Sequence, residues 1–218
     1  MNYLHWNETV ITDFSEKNIG EMYEKGYVFT RIGKGVMQQT RSLRIDLAKF
    51  EPTSENRRVL KKTLGIALTV HGLPLADYDY SLGKLAKDFY AEKFGPGIMS
   101  AQKAKEMLTD RDKGNFNRLL KYTAHPKEIG YAICYEDRTM IHYSYPFYDL
   151  KSAPADMGMG MMIRAVGYAK EIGMRYIYLG SLQRPSDIYK LQFKGMEWFN
   201  RDRWSPDIET AKSLLAEK

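Results

Sequence analysis

Cysteine is almost absent: Cys134 is the only one in 218 residues. One thiol excludes an intrachain disulfide framework, a zinc ribbon and an all-cysteine iron–sulfur cluster, and it points to a reducing compartment. Long apolar runs are missing as well. No stretch approaches the roughly 18 residues of a membrane span, and residues 1–13 carry Trp6, Asn7 and Glu8 where a secretory segment would need an apolar run. The expected location is therefore cytoplasmic, without a membrane partner. Internal repeats and low-complexity segments are also lacking. Hydrophobic residues make up 44% of the chain, enough for a packed core. The net charge of +6, from 33 basic and 27 acidic residues, suits a polyanionic partner but is equally common in enzymes that bind no nucleic acid.

Along the chain, Ser15 caps a short helix ended by Gly26, and strands are expected over 27–32 and 36–47, joined by a Gly33-Lys34-Gly35 turn. Alternation in the second strand is broken by Arg41, a charge among apolar neighbours that either ends the buried part or has a job. A helix carrying Arg57, Arg58, Lys61 and Lys62 follows Pro52-Thr53-Ser54, then a strand over 64–70. Apolar spacing predicts helices over 81–94 and 100–108. Antiparallel strands are predicted over 116–122, 129–135 and 139–148, with Glu136-Asp137-Arg138 as a turn. A helix over 158–172 and a short strand over 175–179 complete the pattern. A strand, helix and strand inside an otherwise antiparallel sheet is the arrangement of the acetyltransferase-like α+β fold: a GNAT-type, mainly antiparallel mixed sheet flanked by helices, with a small N-terminal extension. The expected division is residues 1–62 for that extension and 63–218 for the transferase body.

Four blocks carry a more specific signal. The first is Gly26-Tyr27-Val28-Phe29-Thr30-Arg31, followed by Thr40-Arg41-Ser42-Leu43-Arg44 and by residues 50–60. Tyr145-Pro146-Phe147-Tyr148-Asp149 is the second. Asp156-Met157-Gly158 with Tyr176-Ile177-Tyr178-Leu179-Gly180 is the third, and Tyr189-Lys190, Phe193 and Glu197 before Trp204 form the fourth. In order and spacing the set, covering residues 20–204, resembles the arginyl- and leucyl-tRNA–protein transferases of the N-degron pathway. Those enzymes move an aminoacyl group from charged tRNA to the α-amine of a protein, here expected to be an acidic N-terminus. Two departures stand out. The family's N-terminal cysteine cluster, associated with metal or iron–sulfur binding, is replaced by Gly33-Lys34-Gly35-Val36-Met37-Gln38, so no metal or cluster is expected. Ser181-Leu182-Gln183-Arg184-Pro185-Ser186-Asp187 stands where relatives place an aromatic-rich segment, which leaves the transferred amino acid open.

The chemistry of such a transfer can be stated independently. A neutral amine attacks the ester carbonyl joining an amino acid to the terminal ribose, a tetrahedral oxyanion forms, and the ribose oxygen leaves with a proton. The ester is already activated, so the only co-substrate needed is aminoacyl-tRNA, and proximity with oxyanion donors supplies much of the acceleration. Asp149, Lys190 and Glu197 are the catalytic candidates. Each has a plainer reading: Asp149 as a strand-ending turn residue, Lys190 as a solvated lysine, and Glu197 as a helix-surface carboxylate paired with Lys194. Tyr148, Tyr178 and Tyr189 are candidates for stacking on the tRNA end, although strand tyrosines more often belong to a core. Gly158 and Gly160 would open a helix whose N–H groups face an anion, and Gly180 belongs to the same central block. Arg57, Arg58, Lys61 and Lys62 would face the tRNA backbone. Arg41 and Arg44 would read an acidic acceptor, or simply pair with Asp46 and Glu51.

The expected function is an aminoacyl-tRNA–dependent transferase for arginine or leucine. The alternatives are an acyl-coenzyme A N-acyltransferase on the same scaffold, against which Ala155 stands where the phosphate motif needs Gln or Arg, and a non-catalytic module binding tRNA or an N-terminus. His142 and the methionine run 157–162 are expected to be core.

Overall fold

The computed structural model describes residues 3–216. In chain order the elements are β1 (Asn7–Val10), α1 (Glu16–Glu24), β2 (Tyr27–Phe29), β3 (Val36–Gln39), β4 (Ser42–Asp46), α2 (Ser54–Lys62), β5 (Ile66–Gly72), α3 (Tyr80–Phe94) and α4 (Ala101–Thr109). They continue with β6 (Arg118–Ala124), β7 (Lys127–Glu136), β8 (Met140–Tyr148), α5 (Met157–Glu171), β9 (Tyr176–Ser181), a 3-10 segment (Pro185–Gln192), β10 (Met196–Phe199), β11 (Trp204–Ser205) and α6 (Ile208–Ala216). β1, β3 and β2 form a small antiparallel sheet, and the remaining strands follow the order β11-β10-β4-β9-β8-β7-β6-β5. Only β8 with β9 is parallel among the described pairs. The fold is α+β, with a large, mainly antiparallel sheet flanked by helices. No described helix is long and apolar enough to cross a membrane.

Two compact units interleave along the chain. One comprises residues up to 53, residues 137–142 and residues from 169 on; the other comprises 54–136 and 143–168. Tyr23, Met37, Leu43, Ile45, Ile177, Tyr178, Leu182 and Phe199 are buried in the first. In the second, Leu119, Leu120, Tyr122, Ile133, Phe147, Met161 and Val166 are buried. Each large apolar side chain so covered contributes about 1.5–3 kcal/mol. Of the methionine run, Met157, Met161 and Met162 are core as expected, and Met159 is half-buried.

Local signals placed the helices well. Ser15 caps α1 by accepting from the Asn18 N–H, and Ser100 caps α4 through Lys103. α3 begins at Tyr80, one residue earlier than predicted, with Asp79 as its cap. The predicted turn at 136–138 forms around Asp137, whose Oδ1 accepts from the Thr139 and Met140 N–H groups at 2.7 and 2.9 Å.

The strand predicted over 36–47 is two strands in two sheets. β3 pairs with β1 and β2, whereas β4 pairs with β9 and β10. The break falls at Thr40 and Arg41, where the Ser42 N–H turns back onto the Thr40 carbonyl at 2.6 Å and the Arg41 carbonyl accepts from Leu182 at 2.9 Å. The interruption of alternation at Arg41 marks this change of sheet. β1, β10, β11 and the nine-residue α6 had no predicted counterpart; the three strands, of two to four residues, are too short for periodicity to register.

Candidate functional site

β4 lies between β9 and β10, and this register builds the first part of the site. Arg44 stands opposite Tyr178 on one side and Glu197 on the other. Its guanidinium Nε donates to Glu197 Oε2 at 2.9 Å, and Nη1 donates to both oxygens of Glu24 at 2.9 Å and to the Tyr178 hydroxyl at 3.4 Å. The same group is stacked between two rings, 3.9 Å from the Tyr176 centroid and 4.1 Å from that of Trp204. Trp204 is held in place by its indole N–H on the Glu24 carbonyl. Arg44 is only 5% exposed. Burial opposes its charge, but Tyr178 and Glu24 outweigh that and raise its pKa further. The cation thus meets two carboxylates, at Nε and Nη1, and two aromatic rings, those of Tyr176 and Trp204.

Two plainer expectations are corrected here. Glu197 lies on strand β10, not on a helix, and Lys194 pairs with Glu51 at 3.0 Å instead. Arg44 ignores both Asp46 and Glu51; Asp46 pairs with Lys49, which also lies 3.6 Å from Glu197.

Lys190 forms the second part, in the 3-10 segment. Its Nζ donates to the Ser181 carbonyl at 3.1 Å and pairs with Asp187 Oδ1 at 3.0 Å. Asp187 Oδ2 in turn accepts from the Gln183 and Arg184 N–H groups, each at 3.0 Å. The lysine is thus held at both ends of the loop after β9 and is not the solvated side chain of the plainer reading. Burial lowers its pKa, but Tyr189, Asp187 and Tyr3 outweigh it and leave the pKa raised, with Asp187 the partner charged at neutral pH. Tyr189 itself is 43% exposed beside it, its ring centroid 5.9 Å from Nζ. Gly180 supplies the bend between the two parts. β9 carries one extra residue relative to β4 between Ser181 and Tyr178, and Gly180 sits there at φ +75°, the glycine-requiring form of a β-bulge. Arg41 is half-buried at the change of sheet that opens β4.

Behind Tyr178, the Tyr23 ring packs edge-on at 4.8 Å. Tyr23 accepts from the Phe29 N–H at 3.3 Å, and its hydroxyl shares a 2.8 Å hydrogen bond with His142 Nδ1. Burial lowers the His142 pKa to about 3. The histidine is core, as expected.

The other predicted residues lie in the second unit. Asp149 ends β8: its carboxylate accepts from Ser152 Oγ at 2.5 Å, from Lys127 at 3.1 Å and from the Lys151 N–H at 3.0 Å. These bonds, Ser152 first, hold its pKa well below the usual carboxylate range. A carboxylate so held is a weak proton acceptor and a strong turn anchor. Tyr148 packs 4.8 Å from Phe89, and its hydroxyl lies 3.4 Å from where a Cβ on Gly158 would stand. Gly160 permits close packing, since its Cβ would come within 2.9 Å of Thr63. Arg164 fastens the same contact by donating to the Gly160 and Ile66 carbonyls at 3.1 and 2.8 Å and to the Thr63 carbonyl. Of the basic face of α2, Lys62 and Arg58 meet Asp156 at 2.8 and 3.8 Å, and Arg58 also holds Glu55. Arg57 and Lys61 are exposed on the same helix.

The structure therefore gathers Arg44, Tyr178 and Glu197 into one network and Tyr189 with Lys190 into another. Sequence reasoning assigned no role to Glu24, Tyr176, Gln183 or Asp187, which complete them. No spacing rule connects Glu24 with Glu197.

No family model matches the chain. It is 25% identical over 179 residues to an aspartate/glutamate leucyltransferase of Dinoroseobacter shibae, covering 76% of this chain and 62% of that protein. It is 24% identical over 170 residues to an aspartate/glutamate leucyltransferase of Polynucleobacter asymbioticus, covering 74% and 67%. The chain thus spans under two thirds of the length of the first of these relatives. Among solved structures, the C-terminal domain assigned to a lysylphosphatidylglycerol synthetase of Agrobacterium fabrum superposes with a TM-score of 0.50 at 13% identity, over 93% of this chain and 70% of that one, a likeness of fold alone. In sequence, the chain is a distant relative of the leucyl/arginyl-tRNA–protein transferases.

Proposed function

We propose that the protein transfers leucine, or arginine, from charged tRNA to the α-amine of a peptide or protein beginning with an acidic residue. The observation that carries this reading is the match to bacterial aspartate/glutamate leucyltransferases over three quarters of the chain. An acetyltransferase-type core is part of the proposal, supported by the parallel β8/β9 pair joined through α5 within a sheet whose other described pairs are antiparallel. The division into an N-terminal region, residues 1–62, and a transferase body belongs to the same reading.

In this reaction the attacking amine loses one proton and the departing ribose oxygen gains one, so the step needs a proton shuttle but no net acid or base. Lys190 is the group we place at the developing charge. Two of its N–H donors are fixed by Ser181 and Asp187, and the pre-set ammonium stabilises the oxyanion or the leaving ribose oxygen. Glu197 is a positioning residue that holds Arg44 against Tyr176 and Trp204. Tyr189 offers an exposed ring for the terminal base, and α2 with Arg57 and Lys61 offers charge to the tRNA backbone. Asp149 anchors the end of β8.

The test is incubation with radiolabelled Leu-tRNA and Arg-tRNA, separately, and peptides beginning with Asp or Glu. Label entering the peptide from either tRNA is the expected result. Absence of transfer from both overturns the reading.

A further inference from the structure

Resting on that transfer reading, we infer that the Gln183 side chain, with Thr40 and Ser181, is a ledge that reads the main chain of an extended acceptor peptide, and that the protein's own residues Tyr3 and Leu4 occupy it as a displaceable strap. The geometry is unusual for a loop side chain. Gln183 Oε1 accepts from the Leu4 N–H at 2.7 Å while Nε2 donates to the Leu4 carbonyl at 3.0 Å. One amide therefore meets one residue at both main-chain groups, as a neighbouring strand would. Thr40 Oγ1 donates to the same carbonyl at 2.6 Å. Gln183 Nε2 also lies 2.9 Å from Thr40 Oγ1 and 3.1 Å from Ser181 Oγ, which fixes the plane of the amide.

On Leu4, Gln183 and Thr40 reach only main-chain atoms, so those three bonds hold whichever residue lies there. A site that accepts many different proteins by their first residues needs contacts of this kind further along the peptide. The ledge also exists because of the break in the strand pattern: β3 ends at Gln39, and beyond it the extended segment before β1 finds Gln183 in place of a partner strand.

Polarity and proximity connect the ledge to Lys190. The Tyr3 hydroxyl lies 2.7 Å from Ser181 Oγ, and Lys190 Nζ is bonded to the carbonyl of that same Ser181. A peptide lying in the direction of Tyr3 and Leu4 would carry, one residue N-terminal to the one held by Gln183, a side chain toward Ser181 and so toward Lys190, on the side of the peptide where the reacting amine lies. The strap is lightly held, with Tyr3 and His5 exposed and Leu4 half-buried.

Two substitutions in the full chain test this with opposite expected signs. Gln183→Leu removes the reading group and raises KM for an Asp-initiated hexapeptide roughly tenfold, the equivalent of one to two hydrogen bonds. Leu4→Pro removes the N–H that occupies Gln183 and lowers that KM. Anisotropy of the same hexapeptide labelled at its C-terminus gives the affinities without turnover and should move in the same two directions. If Gln183→Leu does not fold, Gln183→Glu keeps the acceptor oxygen but loses the donor, and a smaller rise is expected. A purely structural role for Gln183 moves both variants the same way, and that outcome, or an unaltered KM and affinity in folded Gln183→Leu, overturns the ledge. If the unmodified protein transfers no amino acid at all, the transfer reading fails, and the anisotropy series alone decides the ledge.

Discussion

Arg44 and Glu197 face each other directly across β4 and β10, with guanidinium Nε 2.9 Å from the carboxylate. Each is the other's condition for being buried. A charge with 5% exposure is tolerated because Nε and Nη1 are bonded to carboxylates and its faces are covered.

This makes Glu197→Gln a stability variant as well as an activity variant. Glu24 remains as a partner, so the loss should fall near the lower end of a broken buried pair, about 3 kcal/mol. Urea denaturation measures it. A midpoint equal to that of the unmodified protein would show that Arg44 does not depend on Glu197.

Lys190 is expected to behave differently. Lys190→Met should lower the single-turnover rate of aminoacyl transfer on the order of a hundredfold, the typical effect of removing one preorganised donor from a developing oxyanion. Lys190→Arg, which keeps a charge for Asp187 but not the geometry, should restore folding stability more than rate. Equal recovery of both would place the residue outside the chemistry.

Gly180→Ala isolates a backbone effect. The φ of +75° is the left-handed region, and nothing lies within 4 Å of the added Cβ, so the change carries no clash. Its cost should be about 1–2 kcal/mol, read as a fall in Tm, with Gly180→Asn smaller. A neutral substitution would mean that the bulge is not needed for β9.

The buried His142 sets an acid dependence. Its folded pKa of about 3 lies below the ordinary value of 6.5, because burial disfavours the imidazolium. The unfolded chain therefore binds a proton first. Stability from this group is intact above about pH 6.5 and falls at up to about 1.4 kcal/mol per pH unit as pH drops toward 3. Urea midpoints between pH 7 and 4.5 should fall less steeply in His142→Asn, which keeps a hydrogen-bonding partner for Tyr23. Identical slopes would assign the acid sensitivity elsewhere.

The elements legible in advance were those with local causes. Ser15 and Ser100 mark their helices because a cap is a short-range interaction, whereas Arg41 only interrupts the alternation of a strand expected to run from 36 to 47, and the change of sheet there shows in the pairing alone. The plainer reading of Glu197 as a helix-surface carboxylate fails because it lies on β10, a strand of only four residues, and its partner Arg44 is 153 positions away. The role of Asp149 was evenly balanced in the sequence. The bonds from Ser152, Lys127 and the Lys151 amide, which only the folded chain shows, account for it as a turn anchor.

By itself, then, the sequence determined the α+β class, most helices, the core placement of His142 and most of the methionine run, and the kinship carried by the Tyr-Lys, Phe and Glu block. Those depend on composition, short-range periodicity and ordered motifs. Only the tertiary structure decided that Arg44 is enclosed by Glu24, Glu197, Tyr176 and Trp204, that Lys190 is fixed by Ser181 and Asp187, and that Gln183 holds the main chain of Leu4. Such pairings join residues distant in sequence through strand register and a change of sheet, and no local rule fixes either.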